Sequence, residues 1–279
     1  MPDLQPPNSL FREGFAAFQS STISTSRYPV LTPGSPAHTK GAWVELISSL
    51  TDLTALIIIT GAYGTGSGGS VCLVDIGTGA AASEVVLIPN IFMACDSGNV
   101  PCPPLVIPIT IPGGTRVSAR CQSSSTSATI SVGVIVQSKI GGPVDLVDPY
   151  KLPYRGVTSV EVAGANTATS AGTEVTAGTP ANTKGSWVEL IASTAKIARC
   201  AIVQIRGKGT ASHDVDIGIG ALGSETVLFP DLVITGHSRC AAISFVFFTT
   251  IPAASRLSAR TGSTTALDTA QCEILLCEE

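Results

Sequence analysis

The side chains that could carry acid–base, nucleophilic or metal chemistry are few in this chain of 279 residues, and they are scattered. A nucleophile needs a base beside it and a third group to orient that base. The histidines are His38, His213 and His237, and none stands in a local motif with a nucleophile. The stretch GHSRC from Gly236 resembles part of a nucleophile elbow, but Cys240 occupies the place of the second glycine and no strand–helix unit surrounds it. The glycine-rich GAYGTGSGGS from Gly61 and GKGT from Gly207 lack the Gly-Lys-Ser/Thr ending of a phosphate loop, so both read as hairpin connections. Asp214 and Asp216 project to one side of a strand, as metal ligands or paired glycosidase carboxylates do. The matching positions earlier in the chain are Leu73 and Asp75, so that pair is not duplicated. Asp75 and Asp216 read first as turn-forming or charge-pairing acids, with an oxygen-rich calcium site as the alternative. The expectation is a non-enzyme with no catalytic, cofactor or metal residues.

The cysteines are Cys72, Cys95, Cys102, Cys121, Cys200, Cys240, Cys272 and Cys277. Most lie inside apolar runs such as SVCLVDI and AQCEILLC, where a thiol behaves as a small buried hydrophobe. Their spacing suits neither a zinc knuckle nor a disulfide scaffold. Reduced, buried thiols are expected, with one or two disulfides as the alternative.

The elements that must position these residues come from an internal duplication. TPGSPAHTKGAWVELISS from Thr32 returns as TAGTPANTKGSWVELIAST from Thr176, and DIGTGAAASEVVLIPN from Asp75 as DIGIGALGSETVLFPD from Asp216. IPGGTRVSAR from Ile111 returns as IPAASRLSAR from Ile251. Three blocks in the same order mean two copies of one domain. Each copy is built of short runs rich in Val, Ile and Thr that end at Gly or Pro, six to eight strands per copy. The predicted fold is all-β: two tandem antiparallel β-sandwich domains of jelly-roll type, with an extended N-terminal arm. An immunoglobulin-type sandwich is the rival, but no Cys-Trp-Cys spacing supports it. The predicted boundaries are an arm over 1–30, a first domain over 31–138, a linker and lead-in over 139–175, and a second domain over 176–279. Pro143, Pro149 and Pro153 predict a semi-rigid connection.

Trp43 and Trp187 open the same strand of the two copies, and each indole is expected to plug one end of its sandwich; a sugar-stacking platform is the competing reading. Lys40 with Glu45, and Lys184 with Glu189, are the expected salt bridges. Arg116 and Arg120, matched by Arg256 and Arg260, alternate along a strand and are candidate contacts to a neighbouring subunit. Phe11, Phe15 and Phe18 in the arm would share one face of a short helix, capped by Ser9, and either pack on the chain's own first domain or are candidate contacts to the particle or subunit on which the arm docks.

Composition bounds the partners. The chain is 44% hydrophobic and 13% charged, against roughly 25% charged in ordinary soluble domains. A net charge of −4 with dispersed Lys and Arg shows no nucleic-acid footprint. Apolar runs are strand-sized, so no membrane insertion is expected, and the N-terminus lacks the pattern of a signal peptide.

The TPA-x-TKG-x-WVELI block, the DIG-x-G block and the IP-x-x-S/T-R-V/L-SAR strand together resemble the β-sandwich repeats of tailed-bacteriophage structural proteins, such as capsid decoration proteins, head fibres and tail-fibre modules. The resemblance spans residues 32–137 and 176–277. It implies a homo-oligomer, with a trimer favoured, that assembles in the host cytoplasm and is installed on the virion against partners such as the major capsid protein. A carbohydrate-binding or receptor-binding fibre module, taking a host-surface glycan, is the alternative; a hydrolase comes last.

Overall fold

The computed structural model describes residues 28–51, 53–63, 71–94, 102–138, 157–235 and 242–279. Phe11, Phe15, Phe18, Cys95, His237, Cys240 and residues 139–156 of the linker, with its three prolines, lie outside these residues, as does the helix expected of the arm. Every regular element among the described residues is a strand. In chain order these are β1 (Val30–Leu31), β2 (Val44–Ile47), β3 (Thr54–Tyr63), β4 (Val71–Thr78), β5 (Val85–Ala94), β6 (Cys102–Ile111), β7 (Val117–Ser123) and β8 (Ile130–Ser138). The second half contributes β9 (Ser159–Ala163), β10 (Ala165–Asn166), β11 (Ala171–Thr176), β12 (Val188–Ile191), β13 (Ala198–Gly207), β14 (His213–Ile219), β15 (Thr226–Ile234), β16 (Ile243–Ile251), β17 (Leu257–Ser263) and β18 (Thr269–Glu278).

In the first domain the two sheets run β1-β8-β3-β6 and β2-β7-β4-β5. Strands that are neighbours in sequence mostly fall in opposite sheets, which is the double Greek key of a jelly roll. The second domain repeats the plan as β11-β18-β13-β16 and β12-β17-β14-β15. All pairings are antiparallel, and the register repeats as well: Ile57 faces Val136 and Ile107, as Ala201 faces Leu276 and Phe247. The second domain also reaches back into the predicted lead-in. β9 and β11 both pair with β18, so residues 157–175 supply strands of that sandwich and not only a connection to it.

Alternation fills each core. Ile57, Ile59, Val74, Ile76, Ile107 and Val132 point inward between the first two sheets, and Val203, Ile205, Val215, Ile217, Ile274 and Leu276 do so in the second domain. β18 is the exception that locates the domain interface. It is buried along nearly its whole length on both faces, because its outward residues Leu275 and Cys277, with Cys200 and Ile202 of β13, join the hydrophobic cluster of the first domain. A strand covered on both sides has no polar face to alternate with, hence the run CEILLC.

Candidate functional site

The chemically capable residues gather on the outer face of the β2-β7-β4-β5 sheet and again on its counterpart, β12-β17-β14-β15. Each site is centred on a buried aspartate. In the first domain Asp75 Oδ1 accepts from Lys40 Nζ at 2.6 Å and from the Asn90 amide at 2.8 Å, while Oδ2 accepts from Arg120 Nε at 2.9 Å. The Arg120 guanidinium lies 4.4 Å from the centre of the Trp43 ring, a cation–π contact. In the second domain Asp216 takes Lys184 at 2.9 Å, the Asp231 amide at 2.9 Å and Arg260 at 2.9 Å, and Arg260 lies 4.5 Å from the Trp187 ring.

Local backbone explains how the amide reaches the acid. The register shifts between Val74 and Ile76, and again between Val215 and Ile217, so β5 and β15 each carry a bulge opposite the aspartate. The bulged residues, Asn90 and Asp231, have φ of 51° and 47°, a left-handed conformation that Asn and Asp tolerate better than other non-glycine residues. This turns their N–H toward the carboxylate instead of along the ladder.

The tryptophans do not plug the core. Both are half-buried on the outer sheet face, the benzo edge of Trp43 lying over Gly77 and that of Trp187 over Gly218. A Cβ on these glycines would come within 2.6 Å and 2.8 Å of the rings. The reason is chemical: an indole beside an arginine and a glycine gains a cation and a flat floor on the sheet surface, while the interior is already filled by aliphatic side chains. With a guanidinium over the ring, the tryptophan is not a free platform for a sugar.

The expected salt bridges are also re-partnered. Lys40 goes to Asp75 and not to Glu45. Glu45 instead pairs with Arg116 at 2.7 Å, and Arg116 holds Glu84 at 2.8 Å. Arg256 does the same with Glu189 and Glu225, both at 2.8 Å. Arg116, Arg120, Arg256 and Arg260 are thus spent on internal ion pairs, which leaves them little to offer a neighbouring subunit.

The two clusters differ in charge. Lys184 meets three acids, Asp214 and Asp216 at 2.9 Å and Asp231 at 3.1 Å. Among the described acids Lys40 meets Asp75 alone, since Leu73 and Asn90 stand where Asp214 and Asp231 do. Burial therefore pulls the Lys40 ammonium below the ordinary lysine range despite Asp75. For Lys184 burial acts in the same direction, but its three carboxylate partners reverse it and the ammonium is held above that range. Asp214 and Asp216 are brought together as predicted, around a lysine.

One further polar chain lies inside the second domain. His213 Nδ1 is 3.5 Å from Thr261 Oγ1, and its Nε2 is 3.4 Å from Asp268, out of line for a hydrogen bond. The order hydroxyl, imidazole, carboxylate has the form of a triad, but the Thr261 hydroxyl is given to the carbonyls of Gly262 at 2.8 Å and Asp214 at 3.2 Å. Both side chains are buried. The matching positions in the first domain are Cys72 and Cys121, so the two copies fill one core site by different means. Burial pushes the His213 imidazole below the ordinary histidine range, against the pull of Asp268 and Asp214. Cys72, Cys121, Cys200, Cys272 and Cys277 are free and buried, and burial pushes the Cys72 thiol up to about 11 and that of Cys121 to about 12. Such thiols are poor nucleophiles at neutral pH.

No family model matches the chain, and no curated protein matches it in sequence. Among solved structures it is similar, at 10% identity and a TM-score of 0.24, to the N-terminal CBM22-1-CBM22-2 tandem domain of Paenibacillus barcinonensis Xyn10C, over 88% of this chain and 86% of that one. It is also similar to PNGF-II in two crystal forms, at 9% and 8% identity and TM-scores of 0.37 and 0.35. The alignments take in 90% and 85% of this chain but only 64% and 59% of PNGF-II.

Proposed function

We propose that this protein is a non-enzymatic structural component of a phage virion, a capsid decoration or accessory protein that acts as a homo-oligomer, with a trimer favoured. The observation that carries the assembly role is a sheet face present twice, whose central strands are covered in the second domain and, among the described residues, left open in the first. In the second domain the outward residues Cys200, Ile202 and Leu275 are buried by the first domain. Their register counterparts in the first domain are Leu56, Ile58 and Ile135, which are only half-buried, and beside them Tyr28 and Val30 are exposed by about two-fifths, while the outer edge of the face is open in both domains, at Val106 and at Val246. An apolar face of this kind marks an interaction surface. The charged side chains that acid–base chemistry would need are engaged in the duplicated ion-pair networks, which supports a load-carrying module over a catalytic one.

The first test is the solution mass of the full chain by light scattering across a concentration series. A mass near three times 28.4 kDa supports the trimer. Co-sedimentation of the tagged chain with particles from a lysed phage-producing culture supports the virion role. A monomer at every concentration that also stays behind when particles are pelleted would sink the reading.

A further inference from the structure

The interface between the two domains contains a polar pair whose hydrogen bonds do not close. Gln204 on β13 and Glu273 on β18 are direct cross-strand partners, so their side chains leave the same face of the sheet side by side. Both reach the edge strand β5 of the first domain: Glu273 Oε1 accepts from the Phe92 amide at 3.0 Å, and Gln204 Nε2 donates to the Phe92 carbonyl at 3.2 Å. The bond to Phe92 fixes which way the Gln204 amide is turned. The two remaining atoms, Glu273 Oε2 and Gln204 Oε1, are buried acceptors without a hydrogen-bond donor. Two acceptors on neighbouring side chains are one proton short, and an ionised carboxylate there would stay uncompensated.

We propose that Glu273 carries that proton on Oε2 and donates it to Gln204 Oε1, making a neutral latch that holds the domains together around Phe92 and releases in alkali. The pair belongs to the interface and not to the fold. At the same cross-strand position in the first domain stand Thr60 and Gly133, where the Thr60 hydroxyl donates to the Gly133 carbonyl at 3.4 Å and the Tyr28 ring covers the glycine. Of the charged and titratable groups around Glu273, Lys40 from the lead-in to β2 favours the carboxylate, and Cys272 lies next to it on β18. β13, β16 and β5 present Gln204, Ser244 and Phe92. Burial outweighs both the Phe92 amide and Lys40 and raises the Glu273 carboxyl well above the ordinary glutamate range. A raised carboxyl stabilises the closed form below its unfolded value and loses that contribution as pH rises through the raised one. A cavity of about 10 Å3 beside Gln204, lined also by Phe92, Leu105 and Ala242, offers the competing arrangement: a water giving its hydrogen to Gln204 while the carboxylate stays ionised.

The test uses the full chain with carbon-13 in its glutamate carboxyls. The Glu273 signal, assigned by through-bond correlation in the wild type, is expected at its protonated position at neutral pH. Its titration should coincide with a rise in the radius of gyration seen by small-angle scattering. In Glu273→Gln a neutral amide replaces the acid and donates to Gln204 without a titrating proton, so the alkaline expansion should be lost. An ionised Glu273 at neutral pH, as the water arrangement requires, overturns the proposal; so does expansion at the same pH in the wild type and in Glu273→Gln. If the variant does not fold, the wild-type carboxyl signal decides alone.

Discussion

At the scale of the residue, Asp75 and Asp216 show what a buried charge requires. Each carboxylate is nearly sealed from solvent yet has a lysine, an arginine and a backbone amide on its two oxygens. Burial alone would push Asp216 up, but the Asp231 amide, Lys184 and Arg260 together hold it below the ordinary aspartate range. A depressed carboxyl gives stability that is complete above the unfolded value near pH 4 and is lost as pH falls through the folded value. Asp216→Asn should therefore cost about 1–3 kcal/mol at neutral pH, the low side for a broken buried pair because Lys184 and Arg260 keep some access to water. Denaturant melts at neutral and acid pH check this. The deficit should shrink toward acid, and one that is the same at both would place the effect in packing instead of charge.

At the scale of the element, the outer face of the β2-β7-β4-β5 sheet is an aromatic laid on a glycine floor. Side chains of β4 alternate, Val74 and Ile76 facing inward and Asp75 and Gly77 outward, so the position under Trp43 is set by register. Gly77→Ala and Gly218→Ala should each destabilise their domain by about 1–3 kcal/mol, because the added methyl must lift the indole off the sheet and pull it from its arginine. Near-ultraviolet circular dichroism of the tryptophan band, read with thermal melts, distinguishes the two parts of the effect. An unchanged band and melting point would mean that the ring does not rest on the glycine.

At the scale of the molecule, the two jelly rolls share a buried seam because the outer face of one sheet is the inner face of the interface. Phe92 is 1% exposed, while Val233 at the matching place in the second domain is 60% exposed. Elsewhere between the first domain and the segment leading into the second, Gln122 donates to the Thr167 carbonyl at 2.7 Å and the Thr110 amide to the Val157 carbonyl at 3.0 Å. Calorimetry of the full chain should show one cooperative transition. Phe92→Ala, which removes about 3–5 kcal/mol of buried aromatic packing, should split it into two. A transition that stays single and merely shifts would mean that coupling does not pass through Phe92.

The sequence by itself determined the duplication and the all-β sandwich class, because these rest on block repeats and on period-two patterning within short windows; it favoured the jelly roll over the immunoglobulin type, and strand order decided between them. It also marked Asp75 and Asp216 as turn-forming or pairing acids, since both copies keep them before Ile-Gly, and the structure makes them pairing acids. What only the tertiary structure decided is which groups meet. Lys40 and Asp75, or Arg120 and Trp43, come together through strand order in the sheet, which no local window contains, so nearest-in-sequence pairing chose Glu45 for Lys40 and the core for Trp43. The same holds for Gln204 and Glu273: their side-by-side placement follows from β13 pairing with β18, and their burial from a second domain closing over them, a long-range contact that leaves in the sequence only an apolar strand without a polar face.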